Sequence, residues 1–237
     1  MEMEESMAGV ITHMVVAREI TKRLPKGVIK DIGSFYLGNL APDAIHAREG
    51  YIREYKKHTH LRDDIPDKDF ESEINRNIFH SRVRDFILKH KDSEDRVDLY
   101  RGYICHILTD ELFVLTRRKE FCVEMEKQGI LQSDPLFFEY IVADMNRNDV
   151  LLVKQYEGSE EIKTILEKTD VCPVENYVTE KEMQVSKDWL LFQHFYIKNE
   201  ELQPRVITYD SMIQFVHMAA EDIVRRLTDD ISFPKMF

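Results

Sequence analysis

Apolar residues recur at three- and four-residue steps along most of this chain, the period of a helix with one buried face. Val10, Ala17, Ile20 and Leu24 share one such face, with His13 among them. That pattern predicts a helix over about residues 7–24, ended by Pro25 and Gly27. A second helix is expected over about 28–37, stopping at Gly38. Gly38-Asn39-Leu40-Ala41-Pro42-Asp43 reads as a turn, because Pro42 disfavours helical geometry at Ala41. Residues 43–67 show no clean period, and a segment of that length is expected to be a functional loop.

Helical pattern returns over about 69–90, with Ile74, Ile78, Phe79, Val83, Phe86 and Ile87 directed inward. A long helix comes next over about 96–128, ended by Gly129. Further helices are predicted over about 135–154, 160–167, 180–197 and 210–228. The best strand candidate is the short run Val206 to Tyr209. The class is therefore all-α, a single bundle-like domain spanning residues 1–237. The late aromatics Phe137, Phe138, Tyr140, Trp189, Phe192, Phe195, Tyr196 and Phe215 are expected mostly in its core.

Composition supports that picture. With 8 glycines and 7 prolines in 237 residues, turns are few and helices long. A net charge of −11 argues against nucleic-acid binding, which needs a basic surface, although bound metal ions would still let an acidic protein handle a phosphodiester. Three cysteines with no paired spacing suit a reducing compartment. The acidic start, Met1 to Glu5, has no basic signal region, and no apolar run is long enough for a membrane span. A cytoplasmic location without a signal peptide is the expectation, and oligomeric state is not legible.

The candidate chemistry sits in polar residues placed where a core prefers carbon. His106 and Asp110 are four apart within an apolar helix, so they stack on one face. They can hydrogen-bond each other or form half of a metal site, and a carboxylate on a buried face needs one partner or the other. His13 lies on the inner face of the first helix. Asp43 follows Pro42 and can serve as a helix cap or a ligand. His58 and His60 flank Thr59 in the irregular segment. Together these supply four histidines and two carboxylates, a donor set suited to one or two divalent ions, zinc first.

The order of these motifs resembles the bacterial zinc-dependent phospholipase C-like family, all-helical and related to the P1-type zinc nucleases. The resemblance rests on His13, on Gly38-Asn39-Leu40-Ala41-Pro42-Asp43, on Thr59-His60-Leu61-Arg62-Asp63 and on the Gly102-x-x-x-His106-x-x-x-Asp110 spacing, covering about residues 9–115. It implies a single domain of that helical type, with His13, Asp43, His60, His106 and Asp110 as metal ligands and Asp110 as a bridge. Secreted members hold a third zinc with the mature N-terminal amine, a position not expected here because residues precede His13. They also carry a histidine shortly after the bridging aspartate, where this chain has Glu111 to Lys119 without one. His217 and Glu221 have the spacing of a later ligand pair, with His194 as a candidate partner; His58 is a further candidate ligand. His46 is an outer candidate, while His80 and His90 read as structural or solvated.

The resemblance and the donor set together lead to the expectation of a metal-dependent hydrolase of phosphate esters, foremost a phosphodiesterase using a metal-bound hydroxide. Asp43 and Asp110 are its candidate catalytic carboxylates. Arg62 either contacts the substrate phosphate or pairs at the surface with Asp63 or Asp64. The expected substrate is a small phosphate ester or a phospholipid head group. An alternative is a non-catalytic helical protein whose metal only staples the fold, or one with an interaction role. An HD-type phosphohydrolase requires an adjacent His-Asp pair, which this chain lacks.

Overall fold

A computed structural model describes residues 8–237, so the expected helix start at Met7 and the acidic residues before it lie outside the described part. The helices are α1 (Val10–Arg23), α2 (Ile32–Ala44), α3 (Arg53–Thr59), α4 (Glu73–His90) and α5 (Val97–Phe113). They continue as α6 (Lys119–Lys127), α7 (Pro135–Gln155), α8 (Ser159–Lys168), α9 (Glu180–Leu190) and α10 (Tyr209–Thr228). No β-strand forms among the described residues; a lone antiparallel bridge joins Val174 to Val178, and Val206 to Tyr209 leads into α10 instead. The chain is all-α, as its periodicity indicates. No helix among the described residues is long and apolar enough to cross a membrane.

Helix starts obey their caps. Asp31 and Ser72 accept from the backbone N–H groups of Ser34 and Asn75, opening α2 and α4. Thr179 and Glu182 form a reciprocal capping box at α9. Pro135 begins α7, where its missing N–H costs nothing.

The largest departure from the sequence expectation is α2. It runs straight through Gly38 and Pro42, which were expected to break it. Gly38 is small for a packing reason: a Cβ there would lie 1.8 Å from the Leu99 carbonyl of α5. The relation is reciprocal, since a Cβ on Gly102 of α5 would lie 2.0 Å from the Phe35 carbonyl of α2. Two glycines therefore let α2 and α5 touch backbone to backbone and bring both ligand-bearing faces together.

The remaining corrections are smaller. The irregular segment contains α3 and a short turn of helix at Ile45–Ala47. Ile74 and Ile78 point outward, 74% and 42% exposed, while Phe79, Val83, Phe86 and Ile87 fill the core as expected. Phe137 and Phe215 are buried, but Trp189, Phe192 and Tyr196 are more than half exposed. The expected long helix over 96–128 is α5 and α6 joined by a wider turn, and the end of the expected 180–197 helix is a wider turn after α9.

Candidate metal centre

His13 from α1, Asp43 from α2, His60 just after α3, and His106 and Asp110 from α5 meet in the interior. His13, His60, His106 and Asp110 are each 2% exposed or less. Asp43 keeps 20% side-chain exposure. The Nε2 atoms of His60 and His106 are 3.3 Å apart, and each lies 3.4 Å from Asp110 Oδ2. Asp43 stands 3.4 Å from His60 Nε2 through Oδ1 and 3.8 Å from His106 Nε2 through Oδ2. On the other side, His13 Nε2 is 3.1 Å from Asp110 Oδ1, and its ring stacks on His106 at 3.8 Å between centroids. Asp110 thus presents one oxygen to each of two groups, His13–His106–Asp110 and Asp43–His60–His106.

The backbone decides where the protons are. His106 Nδ1 lies 2.8 Å from the Asn39 carbonyl, and His60 Nδ1 lies 2.9 Å from the Lys56 carbonyl. A carbonyl only accepts, so both rings must donate from Nδ1. In the neutral rings both Nε2 atoms then carry lone pairs, aimed at each other and at two carboxylates. Such a cluster of acceptors is balanced by a cation at its middle or by protons on the rings. Two of these atoms are orphaned: His13 Nδ1 and Asp110 Oδ2 are buried without a hydrogen-bond partner among the described residues.

The spacing suits a metal. Zinc bonds nitrogen and oxygen at about 2.0–2.2 Å, and tetrahedral donors at that radius stand about 3.3–3.6 Å from one another. His60, His106 and Asp110 Oδ2 form a nearly equilateral triangle with sides of 3.3, 3.4 and 3.4 Å. These residues fit a divalent ion.

Electrostatics agree for the two carboxylates and His13, while at His106 burial, which lowers the value, is outweighed by Asp110 and Asp43. Burial opposes ionisation of Asp110, but the neighbouring His13 and His106 outweigh it and hold its carboxyl well below the usual range. Burial acts the same way on Asp43, overcome by Lys56, whose Nζ is 3.0 Å away, and by His60 and His106. His13 is pushed below the ordinary imidazole value, first by burial and then by His106. The neutral ring that a metal requires is favoured there.

Supporting residues lock this geometry. Thr59 donates its hydroxyl to the Pro42 carbonyl at 2.8 Å, tying α3 to the end of α2. Tyr103 donates to the Thr59 carbonyl. Asp149 of α7 accepts from the backbone of Ile11 and Thr12 and from the Thr12 hydroxyl, fixing the first turn of α1 and so the position of His13. Asn39, Lys56 and Asp149 escape a search for ligands in the sequence, because two act through main-chain carbonyls and the third lies in a distant helix. Asn39 and Asp149 did leave a signal, as polar residues in apolar helical stretches.

A cleft of about 410 Å³ opens beside the centre and reaches Asp43. Its walls include Val10, Leu40, Val185 and Trp189, with His46 near the carboxylate and Asp149 and His194 opposite. His46 Nδ1 is 4.0 Å from Asp43 Oδ1, which makes it an outer residue, as expected.

Other candidates fall elsewhere. His58 is half exposed and paired with Asp63 at 3.1 Å, so it faces away from the cluster. His217 is on the outer face of α10, 3.3 Å from Glu19, and Glu221 is exposed. Neither belongs to the two donor groups, because α10 turns its apolar face inward. His194 faces the cleft rather than pairing with His217. Arg62 is buried rather than at the surface, with its guanidinium 3.5 Å from the centre of the Phe70 ring. His90 is buried against Tyr100, and His80 pairs with Glu111.

Set against family models, curated proteins and solved structures, the chain matches none of them.

Proposed function

We propose that this protein is a metal-dependent hydrolase of phosphate esters, acting on phosphodiesters, with a centre like that of the zinc-dependent phospholipase C-like family. The observation that carries this reading is the convergence of His60, His106, Asp43 and Asp110, with ring protons held outward by main-chain carbonyls. His13 joins the same cluster through Asp110 and completes a second donor group. One or two divalent ions, zinc by donor chemistry, would supply Lewis acidity for activating water and screening phosphoryl charge.

The chain's own residues account for the rest. Asn39 and Lys56 orient the two imidazoles through their carbonyls. Asp43 borders the cleft and is the carboxylate best placed to orient or deprotonate a water. Lys56 Nζ, beside Asp43, adds positive charge where a phosphoryl group would arrive. Arg62, engaged with Phe70, carries no substrate role in this reading. The apolar cleft wall excludes water around the rest of the substrate.

A second reading has two observations in its favour. Lys56 already stands 3.0 Å from Asp43. Burial disfavours a charged His106, but Asp110 and Asp43 outweigh it. A metal-free interaction protein would use these charges to balance the cluster. The open cleft at Asp43 favours the hydrolase, since a purely structural centre would be sealed.

Hydrolysis of bis-p-nitrophenyl phosphate by protein reconstituted with zinc or manganese tests the proposal. Turnover that is lost with chelator and in Asp43→Asn supports it. Fully metal-loaded protein without turnover of any phosphodiester or phosphomonoester refutes it.

A further inference from the structure

Asp110 and Glu111 are consecutive on α5, about 100° apart around the helix, and meet different partners. Glu111 enters a second depression of about 370 Å³, bordered by α4, α10 and the C-terminal segment. Here donors outnumber acceptors. Arg76, Arg84, Arg225 and Arg226 line it, against the carboxylates of Glu111 and Asp222. A surplus of guanidinium groups in one depression stands out on a chain of net charge −11.

The floor is a rigid network. Arg226 is buried and lies 2.9 Å from Glu111 Oε2 and 3.5 Å from Asp222 Oδ2. His80 pairs with Glu111 Oε1, and its ring meets Phe233 edge-on. Arg226 packs over the same Phe233 ring, so the C-terminal segment forms one wall. Above this floor the charges are less satisfied. Arg84 donates to the Ser232 carbonyl and forms no ion pair among the described residues. Arg76 Nε is buried and has no hydrogen-bond partner among the described residues. Arg225 is tied by Asp222 and stands 3.9 Å from Asp229.

We propose that this depression binds a small phosphoryl anion, held by the guanidinium forks of Arg76, Arg84 and Arg225 above the Arg226–Glu111–His80 floor. Planar guanidinium groups match phosphate oxygens in pairs, and a partly enclosed setting strengthens such bonds. Free phosphate and the terminal phosphoryl group of a nucleotide share this chemistry. The site stands apart from the metal centre, since the depression and the cleft at Asp43 share no lining residue.

Isothermal titration of the full chain with inorganic phosphate and with adenosine diphosphate tests it. One-to-one saturable binding is expected, weakened about tenfold or more in Arg76→Gln/Arg225→Gln and in the single exposed variant Arg84→Gln. It should persist in His60→Ala, which lies in the other centre. Tighter binding of the nucleotide names a terminal phosphoryl group as ligand; tighter binding of phosphate names the free ion. Absence of saturable binding of both probes, unchanged affinity in all the arginine variants, or loss in His60→Ala with retention in them would overturn the proposal.

Discussion

The two sides of α5 handle buried charge in opposite ways. On one side Asp110 meets His13, His60, His106 and Asp43, a collection of acceptors whose ring protons are turned outward. On the other, Glu111 meets His80 and Arg226 with further arginines behind them, a collection of donors. One carboxylate is short of positive charge and the next residue has it in excess. The first imbalance is buried and therefore costly, whereas the second includes the exposed Arg84 and Arg225, whose charge water screens. The first calls for a cation and the second tolerates an anion.

The sharpest way to break this contrast is to neutralise Asp110. Asp110→Asn should lower metal-dependent phosphodiesterase activity by about 100-fold or more, measured at saturating metal. In chelator the same variant should also melt lower than the parent, since His13 and His106 hold the carboxylate ionised without a metal and the Ala8 N–H donates to it. An unchanged melting temperature in chelator would mean that only a metal balances Asp110.

The matching change on the other side should behave differently. Glu111→Ala leaves buried Arg226 without its closest acid and should cost about 3–5 kcal/mol, read by denaturant melts, with metal content unchanged. Next in size is the contact that holds the two faces in place. Gly38→Ala puts a methyl into the Leu99 carbonyl and should cost about 3 kcal/mol, because backbone cannot rotate away as a side chain can.

That contact also explains what the sequence hides. A glycine followed by Pro42 reads as a chain break, and nothing local distinguishes a glycine that ends a helix from one that admits a neighbour. His13, His106 and Asp110 were legible as polar residues on apolar helical faces, while Asp43 and His60, read in a turn and an irregular segment, joined them through the order of the motifs. Helix α3 was missed because it is short and polar, with its buried Thr59 and Lys56 defined by contacts to α2. The arginine depression was invisible for a similar reason. Arg76, Arg84, Arg225 and Arg226 sit on helices far apart in sequence, where each reads as an ordinary solvated charge. The spacing of His217 and Glu221 misled because it fits the outer face of α10 as well as an inner one.

Glu19 offers an intermediate case, a carboxylate whose donors match its needs. Burial pushes its carboxyl up, but Lys22, Tyr156 and Arg23 outweigh it and bring it down to about 2. A depressed carboxyl stabilises the fold above its unfolded value near 4.5, and that contribution is lost as pH falls towards about 2. Glu19→Gln should therefore cost about 2 kcal/mol at neutral pH, and the difference from the parent should shrink across that window. A pH-independent difference would assign the effect to packing. The smallest effect is expected from His58→Ala and His217→Ala, both outside the two donor groups, which should leave bound metal unchanged.

The most direct measurement is the metal content of the protein purified without added metal, by elemental analysis, beside His106→Ala. His106 belongs to both donor groups, so its loss should empty both. One to two divalent ions per chain are predicted, zinc foremost, falling to near none in the variant. A parent chain that holds no divalent ion, even after reconstitution with zinc or manganese, would contradict a metal centre in this protein.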